Sequence, residues 1–265
     1  MDSTFSEILK QVEEAELVLV GIGEEFQYNW DILLQNSRYM EIEKEIEDKE
    51  GYGWIIPFLY KIALEKYNDD NLANAYSALK EILAEHNYFI ISTVLDDYVY
   101  KFGFKEDRIV TPCGGFRKMQ CDNDCIGQLT GFDYMTYEKV KAYYDKELNL
   151  EELQEPICGN CGQKMKFNQI GAAKYAEEGY LKQWDTYMKW LQGTVNKKAC
   201  VIELGVGMQF PSIIRWPFER IIYYNRKAFL FRIHPSLYQM EEKIKDRGMG
   251  IKENPINFLS NGFVK

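Results

Sequence analysis

At 265 residues, with 46% apolar and 28% charged side chains, the chain is long enough to bury a real core and ordinary in composition for a globular protein. A formal charge of -9 and a pI near 5.0 argue against a nucleic-acid or anionic-membrane surface. No run approaches the roughly 18 apolar residues of a spanning helix, and the start, Met1-Asp2-Ser3-Thr4, lacks the basic flank of a signal peptide, so a soluble cytoplasmic protein is expected.

Phe5, Ile8, Leu9 and Val12 recur at helical spacing. The apolar run Leu17-Val18-Leu19-Val20 then reads as a buried strand that ends in Gly21-Ile22-Gly23. A strand running into a Gly-x-Gly turn is the first half of a dinucleotide-binding unit, because glycines let backbone N–H groups approach a pyrophosphate. It is also an ordinary turn, and Glu24 and Glu25 weigh against the first reading, since carboxylates repel phosphate. From Asp31 to about Glu85 the pattern is mostly helical, with the charge run Glu41 to Glu50 as a solvated face and Gly51-Tyr52-Gly53 as a break. Tyr88-Phe89-Ile90-Ile91 is a second strand, leading into Ser92-Thr93-Val94-Leu95-Asp96, and Arg108-Ile109-Val110 is a third, leading into Pro112-Cys113-Gly114.

Cys121 with Cys125, and Cys158 with Cys161, form two short-spaced pairs. Such pairs, a few tens of residues apart, are what a tetrahedral zinc site needs, and Gly159 and Gly162 permit the tight turn around the second pair. Free thiols or two disulfides are the competing readings, the latter disfavoured in a reducing compartment. A closed four-cysteine zinc site is structural and not catalytic. A helical piece, Tyr137 to Tyr144, lies between the pairs, and a helix from about Tyr180 to Leu191 follows. Ala199-Cys200-Val201-Ile202-Glu203-Leu204 reads as a strand ending in a second Gly-x-Gly, Gly205-Val206-Gly207. Ala228 to His234 alternates as a strand, and Tyr238 to Ile244 is the expected closing helix.

The order of these pieces resembles the sirtuins, NAD-dependent protein deacylases and ADP-ribosyl transferases. Gly21-Ile22-Gly23-Glu24-Glu25 stands where that family has its Gly-Ala-Gly-x-Ser phosphate loop, and Ser92-Thr93-Val94-Leu95-Asp96 where it has Thr-Gln-Asn-Ile-Asp. Cys113-Gly114, eight residues before Cys121, takes the place of the catalytic His-Gly. Gly205-Val206-Gly207 replaces Gly-Thr-Ser, and Ile233-His234 replaces Ile-Asn. With Pro211 and Arg215-Trp216-Pro217-Phe218-Glu219, the second glycine turn looks closer to the bacterial macrodomain-linked branch.

The resemblance implies an α/β fold, a Rossmann-like parallel sheet with an inserted small zinc-binding and helical module. The NAD-binding domain would span 1–112 and 171–265 and the insert 113–170, with the helical segment 31–85 a candidate to pack against it. It implies structural Zn(2+) on Cys121, Cys125, Cys158 and Cys161. It also implies NAD or ADP-ribose against Gly21, Ile22, Gly23, Glu25, Ser92, Thr93, Asp96, Gly205, Val206, Gly207 and His234, and an acylated or ADP-ribosylated protein as partner. Sirtuin deacylation uses a histidine base, and that position is Cys113, whose free thiol is a poorer base at neutral pH. Cys113 is thus a candidate catalytic group, base, nucleophile or ADP-ribose acceptor, or simply a small residue in vacated space. Val94 replaces the family asparagine and has no hydrogen-bonding group. Asp96 is retained where the family binds the nicotinamide carboxamide, or is a loop cap. Three readings result: a sirtuin-like deacylase or ADP-ribosyl transferase, a nucleotide-binding protein without turnover, and a zinc-stabilised interaction protein in which both glycine turns are accidental.

Overall fold

The structure is a computed structural model that describes residues 3–123, 125, 129–172 and 174–262. In chain order its helices and strands are α1 (Ser3–Glu13), β1 (Leu17–Ile22), α2 (Asp31–Leu34), α3 (Ser37–Asp48), α4 (Ile56–Lys66), α5 (Asp70–Leu83), β2 (Tyr88–Ser92) and β3 (Ile109–Val110). Then come β4 (Gly114–Cys121), β5 (Thr130–Gly131), α6 (Tyr134–Tyr144), β6 (Met165–Gln169), α7 (Leu181–Gln192), β7 (Ala199–Leu204), α8 (Arg215–Tyr224), β8 (Ala228–Ile233), β9 (Gly248–Ile251) and α9 (Pro255–Gly262). They divide into two units, Met1–Gln27, Asp70–Cys113 and Tyr180–Lys265 in the first, Tyr28–Asp69 and Gly114–Gly179 in the second.

The first unit is built on a six-stranded parallel sheet in the order β3-β2-β1-β7-β8-β9. The Rossmann-like sheet expected from the alternation of strands and helices is present. Its central strands β1, β2 and β7 are buried at every position, as a sheet covered on both faces requires, which is why they read as largely apolar runs, interrupted only by Ser92 and Glu203. One face packs Leu19, Phe89, Val201 and Leu230 against Ile214, Phe218 and Ile222 from α8 and its approach. Gly21 lets that helix close on β1: a Cβ there would lie 2.4 Å from Ile214 Cγ2 and 2.9 Å from Phe218 Cε2.

One expectation is corrected at the carboxyl-terminal end. Tyr238 to Ile244 is irregular, and the closing helix is α9. β9 follows instead, because Gly250 leaves room for the Tyr238 carbonyl, 2.2 Å from where its Cβ would stand.

The second unit holds a three-stranded antiparallel sheet, β5-β4-β6, with α2, α3, α4 and α6. Its core is aromatic: Phe167 lies 4.9 Å from Phe58 and 5.1 Å from Phe116, ring centre to ring centre. Polar ends of the tyrosines are satisfied, as burial demands: Tyr143 donates to Glu45 at 2.7 Å, and Tyr144 donates to the Asn36 Oδ1 at 2.9 Å. Gly114 (φ 80°) opens β4 where a Cβ would stand 1.9 Å from the Asn168 carbonyl, so only glycine permits that pairing.

Candidate functional site

In a doubly wound sheet, ligands bind outside the carboxyl ends of the strands where the strand order reverses. Here that point lies between β1 and β7, and both Gly-x-Gly turns emerge there. The two turns are folded onto each other. The Gly23 N–H donates to the Leu204 carbonyl at 2.9 Å and the Glu25 N–H to the Gly205 carbonyl at 3.1 Å. A Cβ on Gly23 would meet the Val206 Cα at 2.5 Å, and one on Gly205 (φ 64°) would meet the Glu25 Cβ at 2.7 Å. A Cβ on Gly207 would come within 2.2 Å of the Glu24 carboxylate. Each glycine of the two turns therefore answers to a neighbouring protein atom. The expectation that they lie open for a pyrophosphate did not foresee this.

The neighbouring strand supplies the segment Ser92 to Asp96, all of whose predicted site residues are buried. Ile22 ends β1, and its carbonyl accepts from the Thr93 N–H at 3.0 Å and from the Thr93 hydroxyl at 3.2 Å. The Ser92 hydroxyl has no hydrogen-bond partner among the described residues. Asp96 accepts the Tyr98 N–H at 2.9 Å through Oδ1, so the loop-cap role is occupied. Tyr76 is fully buried near Asp96 and Asp97, and its phenol is pushed well above the usual range by burial first and by those carboxylates second.

Cys113 is fully buried, and burial together with the Glu24 charge pushes its thiol up to about 12. It is a neutral thiol at physiological pH, without the thiolate that nucleophilic or basic chemistry needs. His234, 3% exposed, accepts the N–H groups of Ser236 at 3.1 Å and Leu237 at 3.0 Å on Nδ1. Its proton therefore sits on Nε2, and burial holds its pKa below the ordinary value.

Four charged groups, Arg215, Arg232, Glu203 and Glu219, form polar contacts beneath this crevice that were not assigned a site role from sequence. Arg215, the first residue of α8, donates to the Val206 carbonyl and, at 3.1 Å, to the Leu237 carbonyl, tying the loops after β7 and β8 together. Arg232 and Glu203 face each other in register across β8 and β7 and form a buried bidentate pair at 2.6 and 3.1 Å. Glu219 of α8 completes the cluster at 2.8 Å. For Glu203 and Arg232 the sequence signal was a charge inside an apolar strand.

In the second unit the Sγ atoms of Cys121, Cys125, Cys158 and Cys161 lie within 4.8 Å of one another. The Cys121–Cys161 separation is 3.5 Å, and neither pair is a disulfide. Metal–sulfur bonds of about 2.3 Å in a tetrahedron place sulfurs about 3.8 Å apart, so the set fits a divalent ion such as zinc. Backbone N–H groups of Cys161 and Asn160 bring the Cys158 thiol down to about 7, which favours the ligating thiolate. The Cys125 thiol is raised to about 12, first by its hydrogen bond to Cys161.

No protein-family model matches the chain. A solved Sir2 homologue, a substituted form in complex with 2′-O-acetyl ADP ribose, superposes over 99% of this chain and 95% of its own, at 12% identity and a TM-score of 0.52. The fold is the sirtuin fold. Among curated proteins, a protein ADP-ribosyltransferase of Staphylococcus aureus is 22% identical over 268 residues, spanning 94% of this chain and 84% of the relative. A probable bifunctional ADP-ribose hydrolase/ADP-ribosyltransferase of Fusarium oxysporum f. sp. cubense is 23% identical over 138 residues, or 51% of this chain and 23% of that longer protein. No helix among the described residues is long and apolar enough to cross a membrane.

Proposed function

We propose that this chain takes NAD into the crevice at the carboxyl ends of β1 and β7 and transfers its ADP-ribosyl group to an acceptor. The convergence of the Ser92–Asp96 segment, both glycine turns and His234 on the sheet's reversal point carries this reading. Similarity over 94% of the chain to a protein ADP-ribosyltransferase supports it. Ser92, Thr93 and Asp96 would meet the nicotinamide end. The segments Gly21–Glu25 and Gly205–Gly207 would flank the pyrophosphate, and His234 would offer its Nε2–H to a ribose hydroxyl. In the step, the bond between nicotinamide nitrogen and ribose breaks, nicotinamide leaves with the electron pair, the acceptor's lone pair forms the new bond, and any proton on the acceptor passes to water. Transfer suits the chain better than deacylation because Cys113 is a neutral, enclosed thiol and offers no base. The cysteine cluster would hold zinc as a structural ion, fixing the β4 and β6 ends of the second unit.

The apolar Val94 and the neutral Cys113 favour a second reading, in which nucleotide binds and is not turned over. Calorimetric titration with NAD, followed by chromatography of the same sample for nicotinamide, separates the two. Nicotinamide release supports the transferase; binding alone supports the second reading. No binding of NAD or ADP-ribose would sink both. Turnover surviving in Cys113→Ala would remove Cys113 from the chemistry.

A further inference from the structure

Glu24, half-buried, reaches across the sheet reversal, and its Oε1 accepts the backbone N–H of Gln209 at 3.2 Å. The same oxygen lies 2.2 Å from where a Cβ on Gly207 would be, so the carboxylate rests directly on the Gly207–Gln209 turn. A backbone N–H that receives a carboxylate in a turn after a parallel strand is chemically what a phosphate oxygen would also seek. We infer that Glu24 determines which ligands the crevice accepts, by filling the anion-receiving turn with the protein's own carboxylate.

The inference rests on the nucleotide reading above and refines it. A phosphate-bearing ligand binds at this turn only by displacing Glu24. Without displacement, two anions would share one donor, and their repulsion at contact distance in a partly desolvated crevice is substantial. An uncharged nucleoside meets no such competitor. The site is therefore biased against pyrophosphates relative to the same scaffold with a neutral residue at position 24. Arg215, bonded to the Val206 and Leu237 carbonyls, carries a positive charge that interacts with this carboxylate.

The test is calorimetric titration of the full chain and of Glu24→Gln and Glu24→Asp with ADP-ribose and, separately, adenosine. Glu24→Asp keeps the charge but falls one methylene short of Gln209. Both variants should bind ADP-ribose at least about tenfold tighter than the parent, the factor equivalent to about 1.4 kcal/mol, with adenosine affinity unchanged. Circular dichroism melts establish that each variant is folded, and either one suffices. Unchanged or weaker ADP-ribose binding in the folded variants overturns the inference, weaker binding marking Glu24 as a ligand contact. Should neither parent nor variants bind ADP-ribose, NAD or adenosine, the nucleotide reading itself falls and this inference with it.

Discussion

Replacing Arg232 with methionine tests whether the strand ends beneath the crevice are held by charge. Arg232 makes two bonds to Glu203, one to Glu219 and one, at 2.8 Å, to the Gln239 carbonyl, and its side chain is 2% exposed. Methionine keeps the packing and strands Glu203, which is 0% exposed, as a buried carboxylate without its partner. Breaking one side of such a pair costs about 3–5 kcal/mol. At about 2–4 °C per kcal/mol for a chain of this size, that is a fall in Tm of roughly 6–20 °C.

The pH dependence is the sharper part. Burial already raises the Glu203 carboxyl against the pull of Arg232. Loss of that pull raises it further, so between the unfolded value of about 4.3 and the new folded value the folded state holds a proton that the unfolded state has lost. Stability of Arg232→Met therefore declines as pH rises through that window, and the deficit is larger at pH 8 than at pH 5. Pairing it with Glu203→Leu removes the stranded charge and should recover most of the loss. Thermal melts followed by circular dichroism at both pH values provide the readout. A Tm within about 2 °C of the parent, or a deficit equal at both pH values, refutes the reasoning.

Gly205→Ala must adopt a left-handed conformation, about 1–2 kcal/mol, and press on the Glu25 backbone, about 1–3 kcal/mol more. A urea midpoint unmoved by this change would show that the two turns separate freely. Metal analysis should find one zinc per chain, and chelation or Cys158→Ser should lower the melting temperature; metal-free protein of unaltered stability would defeat the zinc assignment. Cys113 and Cys200, both buried with raised thiols, should resist iodoacetamide at pH 7.5 in folded, zinc-loaded protein and react once unfolded. Mass spectrometry that finds Cys113 labelled in the folded state would contradict its enclosure.

The central strands were legible because a parallel strand buried on both faces is nearly all apolar, as in Leu17–Ile22 and, apart from Glu203, in Ala199–Leu204. β9 was not, since Gly248-Met249-Gly250-Ile251 has no apolar run and is a strand only because β8 lies beside it. α8 was hidden in turn, with Pro217 in its first turn and aromatic residues along it. The four cysteines were legible as a set because ligand spacing is local. The contact of Glu24 with Gln209 was not, because 185 residues separate them.

Glycines after a strand were the weakest part of the nucleotide argument. The structure shifts their meaning more than their place. Gly21 admits α8, Gly23 and Gly205 admit each other's loops, and Gly207 admits the Glu24 carboxylate. The N–H groups of Gly23, Glu25 and Gly205 are already bonded to the carbonyls of Leu204, Gly205 and Ile233. With those three donors engaged, a phosphate placed here would have to meet other groups. On the proposed nucleotide reading these would be Glu24, the Nε2–H of His234 and the Ser92 hydroxyl, the last without a partner among the described residues. A carboxylate and two neutral donors suit the hydroxyls of a ribose at least as well as a pyrophosphate. If the proposed nucleotide reading holds, the acidic residues that weigh against a pyrophosphate in the sequence would bear, in the fold, on which part of the nucleotide the crevice takes.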